Sequence, residues 1–170
     1  MPKTCLLQLV KKSDKIYVKL NVNREKMKVY FKDKKDLYLE VTYDDFNNYY
    51  AVKAMSFDDV LLGILNFKII QENFYKKIWL YKIETFSEHQ YKGVGSKMII
   101  FLENFAKQNK VRYIEGRYYP ENKDVVKFYK KRGYMPEIDG YEQLICKDID
   151  QKDELDKNVI ITQDIEQTSL

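Results

Sequence analysis

The spacing of apolar residues along this chain first changes after residue 86, and that change limits what it can fold into. Before residue 86, apolar and polar positions alternate: Ile16, Val18, Leu20 and Val22 in KIYVKLNV, Met27, Val29 and Phe31 in MKVYF, and Leu37, Leu39, Val41 and Tyr43 in LYLEVTY. Alternation sends successive side chains to opposite faces of a strand, so these short runs predict an antiparallel meander with one wet face. Segments 49–57 and 60–70 extend it, with Asp58-Asp59 as the turn between them. Residues 60–70 are apolar on both faces and predict a central strand. IWLYKIETF, 78–86, is a further strand.

From Val94 the period lengthens, with Met98, Ile99, Leu102, Phe105 and Ala106 at helical spacing. VRYIEGRYY, 111–119, then reads as a strand and PENKDVVKFYKKRGY as a second helix. Pro120, Asn122 and Asp124 mark the start of that helix; Lys130, Lys131 and Arg132 mark its last turn, and Gly133 its stop. YEQLICKDI, 141–149, closes with a strand. The expected fold class is α/β, a mixed sheet with helices packed on it, in one domain over residues 1–150. The first dozen residues fit strand and helix equally. Residues 151–170 read as a loosely attached acidic tail whose only pattern is VIIT. Exchange of that short strand between two copies would make a homodimer.

Composition narrows the class. A length of 170 residues with 45% apolar content suits a single core. No run of about 18 apolar residues occurs, so no membrane span is expected. MPKTCLLQLVKKSDK has too short an apolar run, and no small-residue cleavage site, for a secretory signal. Cys5 and Cys146 are isolated, which argues against a disulfide framework or zinc site and for a reducing, cytoplasmic setting. The single histidine, His89, reads as a loop residue; one histidine removes most metal sites and any histidine relay it does not itself serve, so no metal is expected. Residues 1–35 carry 11 Lys/Arg against 3 Asp/Glu, whereas 148–170 carry 2 against 7. A basic front can meet nucleic acid, but lysines on the wet positions of strands account for it without such a partner.

The chemistry concentrates where the period changes. In HQYKGVGSKMIIFLENFAKQ, 89–108, Gly93 and Gly95 stand between a strand and a helix, in a chain with only 6 glycines. The first N–H groups of a helix have no intrahelical partner and carry partial positive charge, so such a turn can hold phosphate. Lys92 could add a charge. The turn is not GxxxxGK[ST], and it is not GxGxxG, because Met98 fills the last place.

A second motif follows: Asn122-x-x-Val125-x-x-Phe128-Tyr129-x-x-x-Gly133-Tyr134. Paired with Gln90-x-x-Gly93-x-Gly95, it resembles the signature of the GNAT superfamily of acyl-CoA-dependent N-acyltransferases: [Q/R]xxGx[G/A], then Nxx(A)xx(F/L)YxxxG(F/Y). The resemblance is specific from Leu80 to Tyr134, with Val125 in place of the commoner alanine. It departs before Tyr49, where the family usually has two helices and residues 1–48 alternate like strands.

The resemblance implies a GNAT-like fold with a strand-rich front and acetyl-CoA as co-substrate. It places Gln90, Tyr91, Lys92, Gly93, Val94, Gly95 and Ser96 at the pyrophosphate, mainly through backbone N–H groups. It sets the strand ending in Thr85 and Phe86 along the pantetheine arm, and puts Asn122 and Phe128 at the cofactor, Asn122 doubling as a helix cap. Tyr129 takes the family's role of general acid: its phenol, with a pKa of about 10, can hydrogen-bond and protonate a departing thiolate whose thiol ionises near about 8.5. Deprotonating a lysine-like amine at neutral pH costs roughly 4–5 kcal/mol. Glu84, the nearest carboxylate in sequence, is the candidate base. The expected activity is N-acetyl transfer to a primary amine of a small molecule or protein by direct attack. The rival expectation is a non-enzymatic acyl-CoA-binding or nucleic-acid-binding module.

Overall fold

The computed structural model describes residues 10–12, 15–17, 26–31, 37–86, 88, 93–139, 142–150 and 159–160. Two short strands, β1 (Val10–Lys12) and β2 (Lys15–Tyr17), pair antiparallel as a separate hairpin. The expected continuation of β2 to Val22 falls outside the described residues. The main sheet begins with β3 (Met27–Phe31), β4 (Tyr38–Asp44), β5 (Tyr49–Met55), β6 (Leu61–Gln71) and β7 (Lys76–Thr85), each antiparallel to the next. Among the described residues of this front there is no helix, as the alternation predicts. The turn between β5 and β6 closes through Ser56 N–H to the Val60 carbonyl, with Asp59 taking the left-handed conformation at φ 61°.

After β7 come α1 (Val94–Gln108), β8 (Val111–Arg117), α2 (Lys123–Lys131), β9 (Met135–Asp139), β10 (Glu142–Asp148) and β11 (Val159–Ile160). The sheet has nine strands in the order β11-β3-β4-β5-β6-β7-β8-β10-β9. Among the described strands only β7 and β8 run parallel, because a helix between two neighbouring strands returns the chain to its starting end. The spacing pattern did not reveal β9: MPEID has a proline and two acids, and all its pairing is with β10. Within the tail, Val159 and Ile160 pair with Phe31 and Tyr30 on the outer edge of β3.

One face of the sheet carries the core. Leu39, Val41, Val52, Ala54, Leu65, Phe67, Ile78 and Ile114 are buried there under Met98, Ile99, Leu102 and Phe105 of α1. Tyr50 stacks on Phe67 at 4.9 Å, and both meet the edge of Phe105 at 5.0 and 5.1 Å. Aromatic pairs of this kind add about 0.5–1.5 kcal/mol beyond their buried area. Helix α2 lies beside α1 on the same face, tied to it by Arg132, whose guanidinium donates to Glu103 at 2.9 Å.

Gly63 is the tightest point of the strand framework. A methyl group added there would sit 2.6 Å from the Glu84 carbonyl oxygen and 3.1 Å from Met98 Cε. The carbonyl belongs to paired backbone and cannot yield cheaply. Gly63→Ala is expected to cost about 1–3 kcal/mol by overpacking, which for a chain of this size lowers Tm by roughly 2–4 °C per kcal/mol. Thermal unfolding of the variant checks this, and an unchanged Tm would contradict it.

Candidate functional site

Strands β7 and β8 run together and then part. Their pairing ends at Leu80 opposite Gly116, although β7 continues five residues to Thr85. On its other side β7 stays paired with β6 as far as Thr85 opposite Gly63. Beyond Gly116, β8 turns its bonds to β10, with Arg117 opposite Leu144 and Tyr118 N–H donating to the Gln143 carbonyl. A gap therefore opens between the end of β7 and the end of β8.

The cause of the fork is local. Phe67 pairs with Leu80 and Asn66 with Lys82, so Tyr81 is an extra residue, a β-bulge at the point where the strands separate. A bulge bends its strand and increases the twist, which turns β7 away from β8. At the crotch, a methyl added to Gly116 would lie 3.1 Å from the Leu80 carbonyl oxygen and 3.2 Å from Leu80 Cβ. Glycine lets the two backbones stay close until the bulge splits them.

Backbone alternation then decides what faces the gap. Phe86 N–H donates to the Leu62 carbonyl at 3.1 Å, so the peptide groups of Phe86 and, two residues back, Glu84 turn toward β6. Those of Ile83 and Thr85 turn the other way, into the gap. This refines the expectation for the strand end: Thr85 presents backbone to the fork, while the Phe86 N–H is used within the sheet.

At the mouth of the fork stands the start of α1. Gly93 occupies the N-cap position at φ 79°, a left-handed conformation that favours glycine, with nothing within 4 Å of where a Cβ would be. Its reason is backbone geometry. Gly95 differs: an added methyl would make ordinary contacts of 3.5 Å with Thr85 Oγ1 and 3.7 Å with the Phe128 ring. It sits where β7, α1 and α2 converge.

The two helices begin in opposite ways. In α2 the Asn122 side chain accepts from Val125 N–H at 3.2 Å, and Asp124 adds an acid to the first turn. Helix α1 has no side-chain cap and no acid in its first turn. Its first ladder bond is Lys97 N–H to the Gly93 carbonyl, so the N–H groups of Val94, Gly95 and Ser96 have no partner among the described residues. Lys97 stands just inside, its ammonium 5.1 Å from the Phe31 ring. Unpartnered N–H groups at a helix start carry partial positive charge, which an anion there would offset. These groups fit a pyrophosphate. Gln90, Tyr91 and Lys92 lie outside the described residues.

Tyr129 is the one buried residue of α2, 4% exposed. The spacing Tyr129-x-x-x-Gly133-Tyr134 has a structural reason. Gly133 takes φ 82°, Tyr134 N–H donates to the Tyr129 carbonyl at 3.0 Å and Gly133 N–H to the Lys130 carbonyl at 3.0 Å. That is the paired-bond helix stop in which the residue after the glycine packs on the last full turn. The Tyr134 ring accordingly lies 5.4 Å from the Tyr129 ring, and Phe128 flanks Tyr129 at 5.4 Å. Burial pushes the Tyr129 phenol well above its ordinary pKa.

Glu84 projects from the opposite face. It pairs with Ile64, whereas Gly63 and Leu65 face α1, so Glu84 and Lys82 point away from the helices. Lys82 Nζ bonds Glu84 at 2.6 Å, with 43% of the Glu84 side chain exposed. Beside them Tyr81 meets Tyr49 at 5.8 Å, and Arg117 lies over Trp79 at 5.9 Å. Tyr50, next to Tyr49 in the strand, is core on the α1 face instead. The spacing rules missed Tyr81, Gly63, Gly116 and Lys97, since a bulge leaves no mark in an apolar pattern. Among the described residues no three His, Cys, Asp or Glu side chains gather as a metal site, and no helix is long and apolar enough to cross a membrane.

A parallel strand pair that forks around an uncapped helix start, in an otherwise antiparallel sheet, is the architecture of the acyl-CoA acyltransferases. The chain belongs to the acetyltransferase (GNAT) family, whose model matches residues 19–134. It is similar in fold to the PaiA N-acetyltransferase of Thermoplasma acidophilum, solved in complex with coenzyme A: TM-score 0.53, 22% identity, 59% of this chain covered. It spans 61% of that protein's chain. A GNAT acetyltransferase of Staphylococcus aureus superposes with TM-score 0.55 at 12% identity, over 62% of this chain and 71% of that one. Arabidopsis thaliana NAA60, solved with a bisubstrate analogue, does so with TM-score 0.54 at 10% identity, over 62% and 78%. No curated protein sequence matches the chain.

The two glycines separate in a test without ligand. Gly93→Ala places a Cβ at positive φ and is expected to cost about 1–2 kcal/mol. Gly95→Ala gains helix propensity of up to about 1 kcal/mol at ordinary contact distances. Melting the free variants should therefore rank Gly95→Ala at or above wild type and Gly93→Ala below it, and the reverse order would refute the assignment.

Proposed function

We propose that the protein is an acetyl-CoA-dependent N-acetyltransferase that moves an acetyl group directly to a primary amine. The observation that carries this reading is the fork between β7 and β8 closed by the uncapped start of α1. The N–H groups of Val94, Gly95 and Ser96 would hold the pyrophosphate, joined by the turn carrying Gln90, Tyr91 and Lys92. The peptide groups of Ile83 and Thr85 would meet the pantetheine arm. Acetyl-CoA, when bound, supplies an activated thioester.

Tyr129 and Glu84 suit the two proton tasks because they approach from opposite faces of the sheet. Tyr129 comes from the helix side, where the cofactor would enter, and Glu84 from the open side, where an amine would arrive. With its pKa raised, the Tyr129 phenol keeps its proton throughout the working pH range. It can hydrogen-bond to the sulfur as charge develops and release the proton at the end of the step. Glu84, already tied to Lys82, would take the amine proton directly or through water. A covalent route through the described cysteine finds little support: burial first, then Glu137, Glu115 and Asp148, push the Cys146 thiol up to about 12. The acceptor would be the amine of a small molecule or of a protein.

Two measurements test the proposal. Coenzyme A or acetyl-CoA should raise Tm, since a ligand at about 100 times its Kd adds about 2.7 kcal/mol. Gly95→Val should lose that shift, and an unchanged shift would remove the α1 start from the cofactor site. Tyr129→Phe should lower kcat by roughly 10²–10⁴-fold with little change in acetyl-CoA affinity. Acetyl-CoA turnover with a panel of amines checks it; full turnover with chemistry rate-limiting would sink the acid role and leave the fold intact. Cofactor binding with no turnover on any amine would instead favour a non-enzymatic acyl-CoA binder.

A further inference from the structure

Glu103 lies in the middle of α1, 9% exposed, and the motifs of the sequence do not include it. Its two carboxylate oxygens are spoken for separately. Oε2 accepts from Arg132 Nη2 at 2.9 Å, and Oε1 accepts from Lys147 Nζ at 3.0 Å. One buried carboxylate thus joins α1, the end of α2 and strand β10. A buried charge of this kind is costly unless paired and hydrogen-bonded, so its place calls for an explanation.

What Glu103 holds is the seat of Tyr129. Arg132 is the C-cap of α2, and its N–H donates to the Tyr129 carbonyl at 3.0 Å. Tyr134, the residue packed on Tyr129, is fully buried and lies beside Glu103 without completing a hydrogen bond to it, under the Lys147 ammonium at 5.4 Å. Helix α2 needs such a fastening. Apart from Tyr129 none of its nine residues is buried, and a helix that short has little stability of its own. Its apolar ties are partly buried Val125 and Phe128, the latter's ring near Gly95, and the Tyr129–Tyr134 contact. Lateral tilt of α2 is opposed by the ion pair at its end.

We infer that Glu103 is a positioning residue, which sets the Tyr129 hydroxyl in the fork by clamping Arg132 and the Tyr134 ring. This rests on the proposed role of Tyr129. Glu103→Gln keeps the shape, removes the charge and leaves two cations facing a neutral amide, so α2 loses its anchor while the α1 start is untouched.

The test is a double-mutant cycle in the full chain, with acetyl-CoA turnover on an accepted amine, or its hydrolysis, as readout. Glu103→Gln alone should lower kcat by up to about 10²-fold, the effect of an ångström-scale misplacement, with KM for acetyl-CoA unchanged. In a Tyr129→Phe background it should do almost nothing, because the group it positions is gone. Equal effects in both backgrounds would overturn the inference while leaving the acid role standing. An inert Tyr129→Phe would overturn both, and that single variant tells the two failures apart. A readout without cofactor uses ¹³C-labelled tyrosine rings, with Tyr129 identified by its loss in Tyr129→Phe. Glu103→Gln should shift or broaden the Tyr129 and Tyr134 signals and leave Tyr50 in place; an unmoved Tyr129 signal refutes the inference. Should Glu103→Gln not fold, Arg132→Gln cuts the same tie from the α2 side and must give the same pattern in both experiments.

Discussion

Everything at the candidate site depends on one extra residue in one strand. If β7 stayed in register with β6, Tyr81 would take an ordinary place in the ladder and β7 would have no local cause to bend away from β8. The bulge at Tyr81 spends a ladder position to bend the strand. From that bend follow the gap, the turning of the Ile83 and Thr85 peptide groups into it, and the placement of Glu84 on the face away from α1. Gly116 on β8 and Gly63 on β6 make the bend possible, since each lies so close to a backbone carbonyl that a side chain would press on it. The site is built from backbone before any functional side chain enters.

The same economy governs the helices. Each helix starts with N–H groups it cannot satisfy itself, and the two starts are handled differently. Helix α2 has Asn122 and Asp124, whereas α1 has Gly93 and Lys97. The stop of α2 is equally specific: Gly133 reverses the chain and folds Tyr134 back onto Tyr129. A motif spaced Y-x-x-x-G-Y is therefore a statement about helix termination as much as about catalysis, and the proposed acid sits on its last full turn. That position is rigid only if the end of α2 is held, which gives the buried Glu103 pair its significance. The proposed chemistry at Tyr129 and the packing at Tyr134 depend on the same helix stop.

The front of the chain shows how a family fold tolerates replacement. Within the described residues, strands β4, β5 and β6 follow one another through short turns where the family usually inserts two helices. The helix-bearing face is unaffected, because its core is supplied by alternating residues of those same strands. The opposite face carries Tyr49, Trp79, Tyr81 and Glu84, and under the proposed reading it is the acceptor side. Acceptor choice would then rest on strand residues.

Much of this was legible without coordinates. Alternation before residue 86 and helical spacing after Val94 are local properties of the chain, so most strand segments and both helices could be read directly. The glycine pair, the Asn122 cap and the Gly133 stop are likewise local, because φ and capping involve neighbours only. Strand β9 escaped, since Pro136 and the acids Glu137 and Asp139 erase the apolar pattern that pairing with β10 does not require. The register of β6 against β7 escaped too, and with it the Tyr81 bulge, because register is fixed by contacts between segments. So did the reach of Glu103 across 29 residues to Arg132 and 44 to Lys147. The sequence by itself determined most of the strands, both helices and where those helices stop. Only the tertiary structure decided where two strands part, which face Glu84 takes and what holds Tyr129 in place, because those are relations between residues that no local spacing encodes.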